Sequence, residues 1–170
     1  MVIAQTRRLV ISKMSLDDAP FYLELVNSPK WLKYIGDRGI KTLEDSKKRI
    51  KDSVLTSYDT NGYGAYKLLL KTENNQLIGS CGLYKREYLD YPDIGFAMLP
   101  EYEGKGYGYE SSLELLRIAK DEFNINRIGA ITLPTNQSSI GLLKKLGLVY
   151  EKTVIPFDDG EELFLFAKDL

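Results

Sequence analysis

Three glycines at alternate positions, Gly104, Gly106 and Gly108, follow a short apolar run at 94–99 and lead into an amphipathic segment at 106–123. Because glycine has no side chain, the backbone can approach a ligand closely and adopt dihedral angles that other residues avoid. The start of a helix adds unpaired N–H groups and a partial positive charge. A strand, a glycine-rich turn and a helix in this order therefore predict an anion-binding loop, with a phosphorylated ligand as its occupant.

The amino-acid composition restricts the chemistry that can accompany such a loop. The 170 residues include no histidine and one cysteine, Cys81, which excludes histidine-based triads, histidine metal sites, an internal disulfide and a cysteine zinc cage. No metal is expected, and acid–base chemistry falls to carboxylates, tyrosine, lysine or water. The 23 basic and 24 acidic residues nearly cancel without a block of like charge, which argues against nucleic acid as a partner.

Neither a secretory signal nor a membrane span is expected. The first residues lack the apolar core of a signal peptide, and no apolar run approaches the roughly 18–20 residues of a membrane-spanning helix. The predicted location is therefore cytoplasmic, with no membrane partner. The length fits a single domain over residues 1–170.

Hydrophobic periodicity places the loop in an α/β domain with a mixed sheet. The predicted strands are 8–14, 62–71, 76–87, 94–99, 127–133, 148–155 and 161–167. The predicted helices are 15–26, 42–57, 106–123 and 136–146, and the stretch 30–40 is a connector or a short helix. Short links favour antiparallel pairing of the three strands up to residue 99, whereas the helix before 127–133 favours a parallel crossover. The run 94–99 is expected to be buried on both faces.

Two other classes of phosphate-binding protein have a different glycine pattern. A dinucleotide-binding enzyme uses Gly-x-Gly-x-x-Gly with an acidic residue about 20 positions further on. Here the spacing is Gly-x-Gly-x-Gly, and the next strand ends Ile131-Thr132-Leu133 without a carboxylate. A P-loop requires Gly-Lys-Ser/Thr, which Gly104-Lys105-Gly106 does not provide.

Two motifs resemble a known family. Glu103-Gly104-Lys105-Gly106-Tyr107-Gly108 resembles the Gln/Arg-x-x-Gly-x-Gly/Ala signature of the GNAT N-acetyltransferases. Asn136-Gln137-Ser138-Ser139, followed by Leu142, Lys145 and Gly147-Leu148, resembles their second signature, Asn-x-x-Ser-x-x-x-x-x-Lys-x-Gly-Phe. With Asp93-Ile94-Gly95-Phe96, the pattern is most similar to the RimJ/RimL branch. The resemblance implies a GNAT-like, mostly antiparallel seven-stranded sheet with about four helices and one parallel βαβ pair splayed to hold the cofactor.

The resemblance also implies acyl transfer from acetyl-CoA to an amine and assigns residues to it. The implied cofactor-binding residues are Phe96, Ala97, Met98, Gly104, Lys105, Gly106, Tyr107, Gly108, Tyr109, Asn136, Ser139 and Lys145. In the family, the strand before the loop diverges from its parallel neighbour at a bulge and pantetheine lies in the gap. Residues 96–98 would bond pantetheine through their backbone, and the loop amides would hold the pyrophosphate. An N–H near Met98 would stabilise the oxyanion.

The remaining roles, also implied by the resemblance, concern the second motif and the strand start. Asn136 would bond the pantetheine arm, Ser139 would lie near the sulfur, and Lys145 would reach a phosphate. Asp93 would act through a water as the base that deprotonates the amine. Each assignment has a structural alternative: a tight turn for the glycines, helix-start positions for Asn136 and Ser139, and a solvated carboxylate for Asp93.

Two positions depart from the family pattern. Glu103 replaces glutamine or arginine, and its carboxylate is expected to turn away from the pyrophosphate. Leu143 occupies the position where many members carry a tyrosine as general acid. The thiolate would then be protonated by Ser139, by water or not at all, since a thiol pKa of about 8.5 makes it a fair leaving group. Glu110, in the first turn of the helix, is explained by the helix dipole alone.

The acceptor is less specified than the cofactor. Candidates for an acceptor pocket are Trp31, Tyr34, Tyr84 and Arg86, although aromatic residues at such positions also serve as packing. A protein N-terminus and a small-molecule amine both remain open as acceptor. Because of Leu143, a catalytically weak CoA-binding sensor or scaffold is the alternative function. A monomer and a homodimer are both allowed.

Overall fold

In the computed structural model, which describes residues 1–170, one mixed sheet of eight strands has the order β1-β2-β3-β4-β5-β6-β8-β7. The strands are β1 (Val2–Gln5), β2 (Leu9–Lys13), β3 (Ala65–Leu70), β4 (Gln76–Tyr84), β5 (Asp93–Met98), β6 (Arg127–Thr132), β7 (Val149–Val154) and β8 (Leu163–Asp169). Only β5 and β6 are parallel neighbours, and the other six pairs are antiparallel. This confirms the mostly antiparallel sheet with one parallel pair.

Six α-helices lie in three of the segments between strands. They are α1 (Ala19–Val26), α2 (Pro29–Tyr34), α3 (Leu43–Arg49), α4 (Thr56–Asn61), α5 (Tyr107–Asp121) and α6 (Gln137–Lys145). A π-helical turn, Ile50–Leu55, joins α3 to α4, so the helix predicted over 42–57 is one irregular helical segment. The stretch 30–40 does contain a short helix, α2.

The number of strands was predicted as seven, and the structure corrects it to eight. The additional strand, β1, is a four-residue edge strand that pairs with β2, for example through Ala4 and Ile11. None of its residues is fully buried. A short, half-exposed edge strand lacks the alternation that identifies strands from sequence, which is why β1 was missed.

The long helix α5 packs on one face of the sheet. Cys81 of β4 lies under it, with its Sγ 3.6 Å from the Ser112 hydroxyl. On the adjacent strand, Phe96 and Met98 approach Gly108 at the start of α5. Because side chains alternate across a strand, the side chain of Asp93 faces the opposite side. One face of β5 therefore packs against α5, and the other faces the side of the sheet that carries α1 and α2.

Candidate active site

The parallel strands β5 and β6 meet at one position and then separate. Asp93 is paired with Gly129, whose N–H donates to the carbonyl of Pro92 at 2.9 Å, and no later residue of β5 is paired with β6. Residues 95–98 are accordingly half-buried, whereas Asp93 and Ile94 are buried. The expectation that the run 94–99 is buried on both faces therefore holds for Ile94 and Leu99 at its two ends but is wrong for the four residues between them. The register with β4 is continuous from Asp93 to Met98, so the strands separate without the expected bulge in that pairing.

The unpaired edge of β5 presents backbone amides to the gap. The N–H of Leu99 donates to Ile78 at 2.8 Å, and in an antiparallel ladder every second residue faces the same neighbour. Ala97 therefore bonds β4, whereas the N–H groups of Phe96 and Met98 point to the gap. The prediction that Ala97 also bonds the cofactor through its backbone is corrected by this pairing, because its amide and carbonyl are used within the sheet.

The glycine-rich loop at the end of the gap is rich in free donors. Gly104 and Gly106 adopt left-handed φ values of +69° and +82°, which an L-residue with a Cβ rarely adopts. The first helical bond of α5 runs from the Glu110 N–H to the Gly106 carbonyl. None of the N–H groups of residues 104–109 donates a hydrogen bond within the protein. Six consecutive amides at a helix start form an anion-binding concavity.

These two features fit acetyl-CoA. The free amides of 104–109 match the acceptor oxygens of a pyrophosphate, and the open edge of β5 matches the amide groups of pantetheine. Only residues 99–103 separate the open edge from the loop, so one extended molecule can contact both. Internal hydrogen bonds from these amides would exclude a cofactor here, and the structure contains none.

Two cations lie beside the loop. The Lys145 Nζ is 4.4 Å from the ring centre of Tyr109, and the Arg8 guanidinium is 4.4 Å from that of Tyr107. Both cations line an open cleft of about 450 Å³ that includes Gly106. Lys145 was predicted here, whereas Arg8 was not. Its sequence neighbourhood, a pair of arginines before a strand, carries no signal that would connect it with a loop almost 100 residues later.

Glu103 is directed away from the loop amides. Its carboxylate is 2.6 Å from the Nζ of Lys30, at the beginning of α2. The prediction that this departure from the family pattern leaves the anion site free agrees with the geometry. The same ion pair connects the phosphate-binding loop to α2, the helix that carries Trp31 and Tyr34.

Asn136 caps α6, since its Oδ1 accepts a hydrogen bond of 3.2 Å from the N–H of Ser139. The structural alternative for Asn136 is therefore present, while its Nδ2 group remains available for a ligand. The Ser139 hydroxyl forms no hydrogen bond with another protein group and is half-buried. Leu143 is 1% exposed and belongs to the core, so it has no part in proton transfer.

Asp93 is not a solvated carboxylate. Its side chain is 3% exposed, and its Oδ1 accepts a 2.8 Å hydrogen bond from the Nε of Arg86, which is 31% exposed. Burial raises the pKa of the Asp93 carboxyl above its ordinary 3.8, and the neighbouring Arg86 guanidinium opposes that rise without cancelling it. A raised pKa makes this carboxylate, at the closed end of the gap, a stronger base than a solvated aspartate.

Two of the four predicted acceptor residues lie directly beside Asp93. Tyr84 is its cross-strand neighbour, and the Arg86 guanidinium is 5.1 Å from the ring centre of Tyr84. The ring of Tyr84 lies over Gly95, where a Cβ would come within 3.1 Å of it. Burial raises the pKa of the Tyr84 phenol well above 10, which keeps it neutral.

The other two predicted acceptor residues belong to α2. Trp31 packs edge-on against Tyr22 at 6.5 Å between ring centres, and its buried Nε1 has no hydrogen-bond partner. Tyr34 lies at the end of α2, where Lys33 approaches its ring at 4.9 Å. No hydrogen bond or ring contact joins Tyr34 to Tyr84 or Arg86. The structure therefore divides the four candidates into two pairs.

No group of three or more Cys, Asp or Glu side chains is arranged to hold a metal ion. No helix combines the length and apolarity that crossing a bilayer demands.

A parallel strand pair that splays beside a glycine-rich helix start defines an α/β domain with a site for an extended phosphorylated cofactor. The chain belongs to the GNAT acetyltransferase family, because the model of the acetyltransferase (GNAT) domain matches residues 8–149. The general reaction of this family is acetyl-CoA-dependent N-acetylation, and the chain is an enzyme of that kind.

Relatives and solved structures agree with this assignment. The uncharacterized N-acetyltransferase YnaD of Bacillus subtilis (strain 168) is 29% identical over 144 residues, which cover 84% of this chain and 80% of that protein. An acetyltransferase of the GNAT family from Bacillus anthracis has a TM-score of 0.80 at 25% identity, with 99% and 98% of the two chains covered. RimL, a ribosomal-protein α-N-acetyltransferase solved with coenzyme A, has a TM-score of 0.84 at 17% identity, with 100% and 98% covered, and shows the shared fold.

Proposed function

We propose that residues 1–170 act as a single acetyltransferase domain that transfers the acetyl group of acetyl-CoA to a primary amine by direct attack on the thioester. The observation that carries this proposal is the presence of two sets of free backbone donors, one on the open edge of β5 and one in the loop 104–109. Donors placed in this way bind an extended phosphorylated cofactor and leave its acyl end at the closed end of the gap.

Binding is assigned first. The amides of residues 104–109 hold the pyrophosphate, with Lys145 as a neighbouring cation. The backbone groups of Phe96 and Met98 bond pantetheine, and Asn136 contributes its free Nδ2 group. Because these donors are fixed before the ligand arrives, little reorganisation is required on binding.

The chemistry is assigned to the residues at the closed end. A neutral amine nitrogen forms a bond with the thioester carbonyl carbon, the C–S bond breaks, and the amine gives up a proton. Asp93 accepts that proton through a water. An amide of the β5 edge, Met98 as predicted or the deeper Phe96, donates to the carbonyl oxygen as negative charge develops on it. Ser139 or water returns a proton to the thiolate.

The acceptor approaches from the face of β5 that carries Asp93, opposite α5. Tyr84 and Arg86 line this approach, and Trp31 and Tyr34 lie on the neighbouring helix α2. Several structures that share the fold are described as ribosomal-protein acetyltransferases, which supports a protein N-terminal amine. A small-molecule amine has the same reacting group and is retained as the other acceptor class.

A second function, a CoA-binding sensor or scaffold, is favoured by one observation. Leu143 fills the core position at which many family members place a tyrosine acid. A chain that binds CoA without returning a proton to the thiolate would retain affinity and lose turnover.

One experiment separates these functions. The protein is incubated with acetyl-CoA and a panel of amines, including free and N-terminally blocked peptides and polyamines, and free thiol is followed over time, with CoA affinity measured by calorimetry. Thiol release that requires an unblocked amine supports the transferase. CoA binding without thiol release on any amine supports the sensor, and failure to bind CoA contradicts both.

A further inference from the structure

The side chain of Arg8, at the turn before β2, is seated on the cofactor-binding loop. Its Nη1 donates to the Lys105 carbonyl at 3.0 Å. Its Nη2 lies 3.3 Å from the point that a Cβ on Gly106 would occupy. The guanidinium also covers the ring of Tyr107 at 4.4 Å. Three consecutive residues of the loop and helix start are therefore contacted by one planar side chain.

The bond to Lys105 fixes the direction of a loop amide. The carbonyl of Lys105 and the N–H of Gly106 belong to the same planar trans peptide, in which the two groups point in opposite directions. While Arg8 holds the carbonyl on its own side, the Gly106 N–H is directed to the other side. That N–H is one of the free donors assigned to the pyrophosphate.

Glu110 in turn fixes Arg8. Its carboxylate accepts hydrogen bonds from the Arg8 Nε at 2.6 Å, the Arg8 backbone N–H at 2.8 Å and the Thr6 hydroxyl at 2.6 Å. Burial alone would raise the pKa of Glu110, but these donors outweigh it and lower the pKa below its ordinary 4.5. Glu110 therefore binds three specific donors, whereas the sequence alone predicts only a favourable interaction with the helix dipole.

We propose that Arg8 and Glu110 are positioning residues that hold the peptide between Lys105 and Gly106 in the orientation that binds the cofactor pyrophosphate. This inference rests on the proposed function, since it assumes that the loop binds a pyrophosphate. Arg8 acts through the loop, with its charge already neutralised by Glu110.

The test compares Arg8→Lys with Arg7→Lys. Lysine keeps the charge, but it has one donor group and cannot bond Glu110 and Lys105 together while covering Tyr107. Arg7 is the adjacent, exposed arginine without a hydrogen bond, so Arg7→Lys is the matched control. The KM and kcat are measured with acetyl-CoA, acetyl-dephospho-CoA and acetyl-pantetheine, which lacks phosphate, and melting temperatures verify folding.

For Arg8→Lys, the KM for acetyl-CoA is expected to rise about ten-fold with kcat unchanged, as the loss of one well-aimed bond to a charged group implies. The same rise is expected with acetyl-dephospho-CoA, and none with acetyl-pantetheine. A rise that disappears with acetyl-dephospho-CoA would show direct contact with the 3′-phosphate and overturn the positioning role. An equal rise with all three, or Arg8→Lys behaving like Arg7→Lys, would also overturn it. If the unaltered protein does not bind CoA, the proposed function itself fails.

Discussion

Replacing Gly104 with alanine tests whether the backbone of the glycine-rich loop binds the cofactor. Gly104 has a φ of +69°, and a Cβ added there would meet no atom within 4 Å. The substitution therefore introduces no clash, and its effect is confined to the left-handed backbone conformation. Gly62 provides a matched control, since its φ is +81° and its added Cβ also meets nothing within 4 Å. It closes α4, next to β3 and away from the loop.

The size of the effect follows from the backbone. An L-residue in the left-handed region costs about 1–2 kcal/mol. At Gly62 the helix end fixes the conformation through a bond to Tyr58, so the cost appears as lower stability, a fall in Tm of roughly 2–4 °C per kcal/mol for a chain of this size. The loop at Gly104 makes no such bond and can relax. Restoring it on binding then costs the same 1–2 kcal/mol, a rise of about five- to thirty-fold in the Kd for CoA.

The assay is calorimetric titration of CoA into both variants, with thermal melts measured in parallel. Gly104→Ala is expected to lose affinity with little change in Tm, and Gly62→Ala to lose stability with unchanged affinity. A Gly104→Ala variant that binds CoA as tightly as the unaltered protein would refute the assignment of the pyrophosphate to this loop.

Three further predictions concern the closed end of the gap and the helix start. Asp93→Asn leaves the Arg86 guanidinium without a counter-charge and should lower stability by about 1–3 kcal/mol in chemical denaturation. In the unaltered protein, kcat is expected to fall as the pH drops through the raised pKa of Asp93. Asp93→Asn should remove this acidic limb of the pH profile of kcat. An unchanged acidic limb would exclude Asp93 as the base. In Gly95→Ala the new Cβ would lie 3.1 Å from the Tyr84 ring, so the ring must move. This substitution should raise the KM for the acceptor but not the KM for acetyl-CoA. Equal changes in both KM values would show that Tyr84 does not line the acceptor pocket. The pKa of Glu110 is lowered in the folded state, so its stabilising effect is present above the ordinary pKa and is lost as the pH falls through the folded-state pKa. The Tm difference between the unaltered protein and Glu110→Gln should therefore shrink below about pH 4.5. A Tm difference that stays constant with pH would contradict the bonded carboxylate.

Local signals account for the parts of the fold that were predicted correctly. A proline after an apolar run, glycines at alternate positions and an amphipathic segment predicted β5, the loop and α5, because each of these signals acts within a few residues. The parallel partner followed from the length of the crossover. The edge strand β1 and the π-helical turn at Ile50–Leu55 have no comparable local pattern, so the sequence contained little that could reveal them.

In the site, too, residues within short sequence motifs could be predicted, whereas contacts between distant segments could not. The loop glycines and Asn136 were identifiable because they lie in short motifs. The partners that set the electrostatics lie far apart in sequence: Arg8 and Glu110 are separated by 102 residues. The burial of Asp93 depends on the link that brings Arg86 back over it, and a carboxylate before a strand gives no indication of such a cover. Ala97 was assigned to the wrong side because the phase of the β4–β5 ladder is set by hydrogen bonds, which the sequence does not specify.

Main-chain amides of the β5 edge and the following loop are proposed to bind the cofactor. Amide hydrogen exchange, measured with and without CoA, can detect this binding because it reports on individual N–H groups. We expect slower exchange on CoA addition at Phe96, Met98 and residues 104–109, with little change at Gly62 or in β1. Protection elsewhere, with these amides exchanging as fast as before, would contradict it.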